Sequence, residues 1–215
     1  MPVSDVRQLS VGKQNMKRIA IYLITMLVTF TTGLIVNVIN PRDMQVSPEM
    51  REAEEYAVYS ALIGTFHCDD AKVILIQSRT DSFYFYDGNT DETQFIKDHF
   101  PPATSEQTLN NFKSVDRQTK ALSRRFALNN TYLLISEEER HQSFLTMKAI
   151  QEFHQKYPHS TRITLFSRVG FNKSFDEALV YSWGYCGGDC GGGGYYLFRR
   201  ENGFWKLKQE KTWIS

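Results

Sequence analysis

The passage from residue 184 to residue 194 combines residue types whose spacing could do chemistry. It reads Gly-Tyr-Cys-Gly-Gly-Asp-Cys-Gly-Gly-Gly-Gly and holds seven of the chain's 13 glycines and two of its three cysteines. In an oxidising compartment Cys186 and Cys190 are close enough in sequence to form a disulfide, and the glycines permit the tight loop that such a bond requires. A structural disulfide between Cys186 and Cys190 is therefore the leading interpretation.

Other chemistries fit this passage less well. It lacks the Lys-Ser/Thr pair of a P-loop, and strands are expected on both sides of it, whereas a nucleotide-binding loop joins a strand to a helix. Three residues separate the cysteines, where thioredoxin-like motifs have two. Asp189 could add one oxygen ligand to the two cysteines, but no histidine is near in sequence. The sequence therefore predicts no metal site and no cofactor.

A thiol enzyme stays open as an alternative. Cys186 or Cys190 could act as nucleophile only if the fold brought a distant histidine close enough to serve as base. The chain has five histidines, which are His67, His99, His141, His154 and His159. His67 lies beside Cys68 and Asp69-Asp70 in the tightest polar cluster of the sequence, although a solvated loop has the same composition. We expect Cys68 to be an unpaired thiol that behaves as a small hydrophobic residue.

Residues 19–39 form a charge-free segment of the length that a membrane-spanning helix needs. A helix rises 1.5 Å per residue, so about 20 residues cross the roughly 30 Å of hydrocarbon in a bilayer. Four basic residues and a single acid precede the segment, whereas acids dominate after it. The positive-inside rule therefore places residues 1–18 in the cytoplasm and the rest of the chain outside it.

Two alternatives to this anchor fit the segment less well. A cleaved signal peptide usually has an apolar core of about 7 to 15 residues followed by a small-x-small cleavage site, and this segment is longer and lacks the site. A buried helix of a soluble domain would need apolar neighbours on every face for about 20 residues. The sequence therefore favours an uncleaved, single-pass anchor in the lipid bilayer.

The rest of the chain divides into a linker at residues 40–47 and one extracytoplasmic α+β domain at residues 48–215. Ser47-Pro48-Glu49 combines an N-cap, a proline at the first helical position and an acid in the first turn, which predicts a helix start. Lys72–Ser78 is a β-branched run that predicts a central strand buried on both faces. Between Thr80 and Asn111 no single assignment follows, because Phe83–Tyr86 fits a strand or a loop.

The second half of the domain is expected to change from helices to strands. A helix is predicted over residues 114–128, a strand over Thr131–Ile135, and a capping box at Ser136–Glu139 opens a helix to about Tyr157. Strands are predicted at residues 163–169, 178–183, 195–200 and 204–213, with a hairpin loop at Phe171–Asp176 and a type I′ turn at Asn202-Gly203. With no evident strand-helix-strand alternation, this order predicts helices packed on a mainly antiparallel sheet that ends in a C-terminal β-meander.

Composition excludes one class of partner. Lys+Arg number 25 against 24 for Asp+Glu, so no excess of positive charge is present to bind a phosphate backbone. Nucleic acid is therefore not an expected partner. An apolar share of 41% is enough to build a core, so the domain should fold.

Several short motifs lie in the last third of the chain. They are Ser167–Asn172, Ala178–Tyr181, Cys186-Gly187 with Cys190-Gly191, Tyr195–Leu197 and Gly203–Lys206. Together they resemble a pattern in a family of uncharacterised bacterial membrane-anchored or secreted proteins, which implies a bacterial origin and an extracytoplasmic domain. The resemblance implies no reaction, cofactor or catalytic residue, and the run Gly191–Gly194 is longer than the pattern has.

These observations predict a single-pass membrane protein whose extracytoplasmic domain binds a protein partner or a small ligand between its helices and its C-terminal sheet. A hydrolase or thiol enzyme that uses the Cys186–Cys190 passage is the alternative. A purely structural component of the cell envelope is a third possibility, and it would present a large exposed apolar patch and no pocket.

Overall fold

The computed structural model describes residues 46–65, 73–83, 91–160, 162–187 and 190–214. Five helices occur in these ranges: α1 (Pro48–Thr65), α2 (Glu92–His99), α3 (Glu106–Asp116), α4 (Glu137–Ser143) and α5 (Met147–Lys156). Seven strands occur there: β1 (Val73–Gln77), β2 (Thr131–Ile135), β3 (Ile163–Phe166), β4 (Gly170–Phe171), β5 (Glu177–Gly187), β6 (Cys190–Glu201) and β7 (Phe204–Ile214). The predicted anchor at residues 19–39 lies outside the described ranges, and within those ranges no helix is both long and apolar enough to cross a bilayer.

The seven strands form one mixed sheet in the order β2-β1-β3-β5-β6-β7, with β4 paired to β5. The second half of the sheet is an antiparallel meander of β5, β6 and β7, which confirms that part of the prediction. In the first half β1 pairs in parallel with both β2 and β3. Helices α2 and α3 connect β1 to β2, and helices α4 and α5 connect β2 to β3. The expectation that strands and helices do not alternate is therefore wrong for this half, because two helices separate β1 from β2 and two more separate β2 from β3, as crossovers between parallel strands require.

Strand β1 occupies the centre of the first half, as its apolar run predicts. It lies between β2 and β3, and Ile74, Leu75 and Ile76 are buried. Successive side chains of a strand point to opposite faces, so Ile74 and Ile76 join the core beneath α1, whereas Leu75 joins the core on the other face. Burial on both faces explains why this strand shows no alternation of polar residues.

Helix α1 begins where its capping signals predict. The Ser47 hydroxyl accepts a hydrogen bond from the amide of Met50 at 3.2 Å, which satisfies one of the free amides of the first turn. The helix lays Tyr56, Tyr59 and Ile63 against the sheet, and Tyr59 stacks on Phe166 with 4.7 Å between ring centroids.

Two predicted helices are corrected. The helix expected over residues 114–128 is instead α3, which ends at Asp116, and the following segment is extended. In that segment Lys120 and Leu122 exchange backbone hydrogen bonds with Ser78 and Thr80, which satisfies their peptide groups without a helix. The helix expected from residue 137 to about Tyr157 is two helices, because Thr146 caps a new one at Met147.

The hairpin between β6 and β7 confirms the turn predicted from Asn202-Gly203. The φ angles are 51° at Asn202 and 84° at Gly203, as a type I′ turn requires at both central positions. The hairpin between β4 and β5 also forms, and the Asn172 side chain accepts hydrogen bonds from the amides of Asp176 and Glu177.

Candidate functional site

The glycine-rich passage forms most of the far end of the hairpin between β5 and β6 and is not a free loop. Strand β5 ends at Gly187, which pairs with Cys190 at the start of β6, and a register shift occurs between Tyr185 and Gly187. The backbones of Cys186 and Cys190 therefore lie near one another across the hairpin. Their side chains are outside the described part of the structure, so the disulfide stays a prediction.

The run Gly191–Gly194 lies inside β6, which corrects the expectation of a glycine loop. A side chain at Gly193 would collide with the carbonyl of Ser182, and one at Gly194 would collide with the carbonyl of Lys211. The neighbouring strands thus approach too closely for any other residue at these positions. The polar pocket beside this run, between Arg162 and Ser182, measures only about 180 Å³, which is below the size usual for ligand sites.

The histidines differ in how exposed they are to solvent. His67, with Cys68 and Asp69-Asp70, lies outside the described residues. His141, His154 and His159 are exposed to solvent, whereas His99 is half-buried and lines a cavity between α2 and the C-terminal sheet. In the described ranges no three His, Cys, Asp or Glu side chains converge as the ligands of a metal would.

This cavity, which we call the aromatic cavity, has a volume of about 550 Å³, within the range typical of small-molecule sites. Its floor is built by the meander, where Tyr181 of β5 is the direct cross-strand partner of Tyr195 of β6. Their ring centroids are 4.9 Å apart, and the Trp213 ring of β7 lies 5.7 Å from Tyr181 and 5.8 Å from Tyr195. The cavity is lined by Phe83, Phe95, Asp98, His99, Tyr181, Tyr195, Lys211, Thr212 and Trp213.

Helix α2 supplies the opposite wall. Phe95 and His99 are one helical turn apart and stack on each other with 4.2 Å between ring centroids. The His99 ring meets the Trp213 ring edge to face at 6.0 Å. Helix and sheet are therefore joined at this point by contact between aromatic rings.

The third wall is Phe83, which is held by its backbone. Its amide donates to a carboxylate oxygen of Asp116 at 2.8 Å, and its carbonyl accepts from the Tyr195 hydroxyl at 2.9 Å. The Phe83 ring then stacks on Tyr181 at 4.1 Å. Asp116 is fully buried, so this hydrogen bond sits in a region of low dielectric constant and fixes the wall firmly.

Two polar atoms of the cavity-lining residues have no partner in the described part of the chain. Trp213 Nε1 and the Tyr181 hydroxyl make no hydrogen bond there, yet neither atom is sealed from solvent. Burial of Tyr181 raises the pKa of its hydroxyl well above the ordinary value, so it remains a protonated donor at physiological pH. Two hydrogen-bond donors therefore belong to the residues that line the cavity.

His99 has a defined tautomer. Its Nδ1 lies 2.8 Å from the carbonyl oxygen of Phe95, and a carbonyl can only accept, so Nδ1 carries the proton. In the neutral ring Nε2 is therefore an acceptor. Two opposite charges complete the rim: the Asp98 carboxylate, which accepts from the Gln94 amide at 2.9 Å, and the Lys211 ammonium, which donates to the Lys97 carbonyl at 2.5 Å.

Sequence reasoning predicted binding between the helices and the C-terminal sheet, and of the residues that line this cavity it named only His99 as a candidate, as a possible base of a thiol enzyme. Tyr195 lies in a motif that was singled out only for its resemblance, and Trp213 was noted only as the end of a strand. An available signal was the alternation of β7, which places Lys211 and Trp213 on one face of the strand. The helix that carries Phe95 and His99 was not assigned, so their wall could not be foreseen.

Comparison with known proteins finds no matching family model, no significantly similar curated protein and no significantly similar solved structure.

Proposed function

We propose that this chain is a single-pass membrane protein whose extracytoplasmic domain binds a small ligand in the aromatic cavity. The observation that carries the proposal is the cavity itself, which has aromatic rings on three sides and a few polar side chains among its lining residues. Largely apolar walls with a few placed polar groups are the usual composition of small-molecule sites. A protein partner is less favoured, because the aromatic residues form a cavity and not an exposed apolar patch.

The membrane part of the proposal depends on sequence. Residues 19–39 carry no charge, and the bias of basic residues before them favours a cytoplasmic N-terminus. Extraction of membranes with alkaline carbonate should leave the chain in the pellet, and protease added to intact spheroplasts should remove the domain. Release into the supernatant would contradict an uncleaved anchor.

The ligand-binding part can be tested on the full chain in lipid nanodiscs. A chemically mixed fragment library, screened by saturation-transfer NMR, should give ligands whose binding Trp213→Ala weakens about tenfold or more, because that substitution removes one ring of the floor. Phe204→Ala is the matched control, since Phe204 lies on the same strand but is 71% exposed and outside the cavity. Ligands that respond equally to both substitutions, or no ligands at all, would contradict binding in this cavity.

The proposal includes a disulfide between Cys186 and Cys190, which we call the staple and which stabilises the β5–β6 hairpin. The strand register brings their backbones together at the hairpin end, which favours the disulfide, and export would supply the oxidising space. Protein taken from its native membrane and alkylated before and after reduction should show one protected pair that maps to Cys186 and Cys190. Two free thiols at these positions would argue against the staple and favour the thiol-enzyme alternative.

Separate serine substitutions distinguish the staple from that enzyme. Under the staple, Cys186→Ser and Cys190→Ser should lower stability to the same extent, because either one removes the bond. Under the thiol enzyme, one substitution should leave the fold intact and abolish a chemical activity.

A further inference from the structure

We infer that the ligand of the aromatic cavity is an uncharged sugar of one or two pyranose rings. This inference rests on the proposed function and adds the chemical class of the ligand. A pyranose has faces of C–H groups and a rim of hydroxyls, so it needs an aromatic surface and several hydrogen-bond partners at once. The cavity provides both.

The Trp213 ring suits the face of a sugar ring because it is half-buried and lines the cavity. Tyr181 and Tyr195, on the two neighbouring strands, are only 5% and 2% exposed, so they hold the Trp213 ring in place and expose only their edges. An aromatic ring carries partial negative charge on its face, which attracts the partly positive C–H groups of a pyranose. Phe100 and Phe112 pack behind Tyr195, with ring centroids at 4.1 Å and 5.7 Å, and support the floor from the core.

The hydrogen-bonding groups suit hydroxyls because they include both donors and acceptors. Trp213 Nε1 donates and His99 Nε2 accepts in the neutral ring, while the Tyr181 hydroxyl can do either. A flat hydrocarbon ligand would displace water from these atoms and leave them without partners, which disfavours such a ligand. A hydroxyl donates and accepts, so a sugar satisfies the whole set.

The charges of the rim exclude a strong preference for an ion. One carboxylate, Asp98, and one ammonium, Lys211, line the cavity, so their formal charges cancel. A dedicated anion site would place several donors and no carboxylate on its rim. A dedicated ammonium site would not place a lysine there, because like charges repel. Both groups can instead hydrogen-bond hydroxyls, Asp98 as acceptor and Lys211 as donor.

The volume limits the ligand to a short sugar. At about 550 Å³ the aromatic cavity has room for one or two pyranose rings. The pocket beside Gly192 and Gly193, at about 180 Å³, is much smaller. A longer glycan could therefore be held only by its terminal one or two units.

The experiment uses the full chain in lipid nanodiscs and follows tryptophan fluorescence and saturation-transfer NMR. The neutral probes are maltose, cellobiose, lactose and N,N′-diacetylchitobiose, and the charged aromatic probes are indole-3-acetate and tryptamine. We expect at least one neutral disaccharide to saturate the protein with a Kd of about 1 mM or lower. Trp213→Ala should raise that Kd about tenfold or more, and Trp213→Phe, which keeps a ring but loses the N–H, should raise it by a smaller factor.

The remaining outcomes distinguish failure of the sugar inference from failure of the proposal that the cavity binds a ligand. If only the charged aromatic probes bind, and Trp213→Ala weakens them while Phe204→Ala does not, the sugar is wrong and ligand binding in the cavity stands. If no probe binds and the fragment screen is also empty, both proposals fail. Sugar binding that is unaffected by Trp213→Ala would also overturn the inference, because the sugar would then lie elsewhere.

Discussion

The two faces of the sheet carry aromatic clusters of similar composition, but one cluster is a closed core and the other borders a cavity. Beneath α1, a cluster of Tyr56, Tyr59, Phe126 and Phe166, which we call the α1 cluster, is closed: the Tyr59 hydroxyl donates to the Ser167 carbonyl at 2.8 Å. On the other face Tyr181 and Tyr195 are also buried, but they adjoin half-buried Trp213, and all three line a cavity. Aromatic residues alone therefore do not distinguish a core from a site, and the presence of unpaired polar atoms beside a cavity does.

The polar atoms around the α1 cluster are paired. The Tyr56 hydroxyl accepts from the amide of Ser123 at 2.6 Å, and buried Glu55 accepts from Arg168 at 2.8 Å and from Lys120 at 3.3 Å. Burial lowers the pKa of Arg51 in the same region, although its guanidinium still donates to the Asn111 side chain at 2.9 Å. This pairing is typical of a structural core, whereas Trp213 Nε1 and the Tyr181 hydroxyl keep their capacity for a ligand.

Phe166→Ala should produce the largest effect on stability. Phe166 is fully buried and stacks on Tyr59, so its truncation leaves a void in the α1 cluster that the sheet cannot close. We expect the free energy of unfolding to fall by about 3–5 kcal/mol. Urea unfolding followed by circular dichroism measures this change. A loss below about 1 kcal/mol would mean that the α1 cluster is not the main core.

Glu55→Gln should have the next largest effect. The substitution keeps the shape of the side chain but removes the charge that pairs with Arg168 and Lys120. We expect a loss of about 1.5–3 kcal/mol, as for buried hydrogen bonds to charged groups. Glu52→Gln is the matched control: its side chain is 28% exposed, so its ion pairs should contribute at most about 1 kcal/mol. Equal losses of unfolding free energy in both variants would contradict the expectation that the buried ion pairs of Glu55 stabilise the fold more than the exposed ones of Glu52.

Glu177→Gln should change how stability depends on pH. Burial raises the pKa of the Glu177 carboxyl, but hydrogen bonds from Ser105 and the charge of Arg199 outweigh burial, so the pKa lies below its ordinary value. Because the pKa is lowered in the folded protein, the ionised carboxylate stabilises the fold at any pH above the ordinary pKa of a glutamate. This stabilisation is lost as the pH falls below about 5. The wild-type protein should therefore lose stability more steeply than Glu177→Gln between about pH 5 and pH 3. Parallel curves in that range would contradict the role of the charge.

Substitution of Trp213 should have a smaller effect on stability than substitutions in the α1 cluster. Trp213 is only half-buried, so Trp213→Ala should lower the free energy of unfolding by about 1 kcal/mol, and Phe204→Ala should change it by less than about 0.5 kcal/mol. Thermal unfolding of both variants checks this order. If Trp213→Ala cost as much as Phe166→Ala, Trp213 would be a core residue, and it would not be available to a ligand.

Local signals in the sequence predicted the elements that depend on neighbours along the chain. The cap at Ser47, the cap at Ser136 and the turn at Asn202-Gly203 all form as expected, because each is decided by side chains within about four residues. The apolar run of β1 likewise predicted a central strand. These features need no information from distant parts of the chain.

The segment after α3 shows where local reasoning failed. Residues 117–128 have a helix-like composition, yet Lys120 and Leu122 are extended because Ser78 and Thr80 offer backbone partners. The run Gly191–Gly194 resembled a loop, yet the carbonyls of Ser182 and Lys211 approach so closely that glycine is required within a strand. In both cases the deciding contacts come from residues that are distant in sequence.

The sequence by itself determined the charge-free segment at residues 19–39, the α+β class of the domain and its C-terminal meander, since composition and short-range periodicity are enough for these. Only the tertiary structure decided that β1, β2 and β3 are parallel and that Phe83, Phe95 and His99 meet the aromatic residues of the meander. The physical reason is that a cavity is a gap between elements. Its existence depends on how α2 packs against the sheet, and no pattern within either element records that distance.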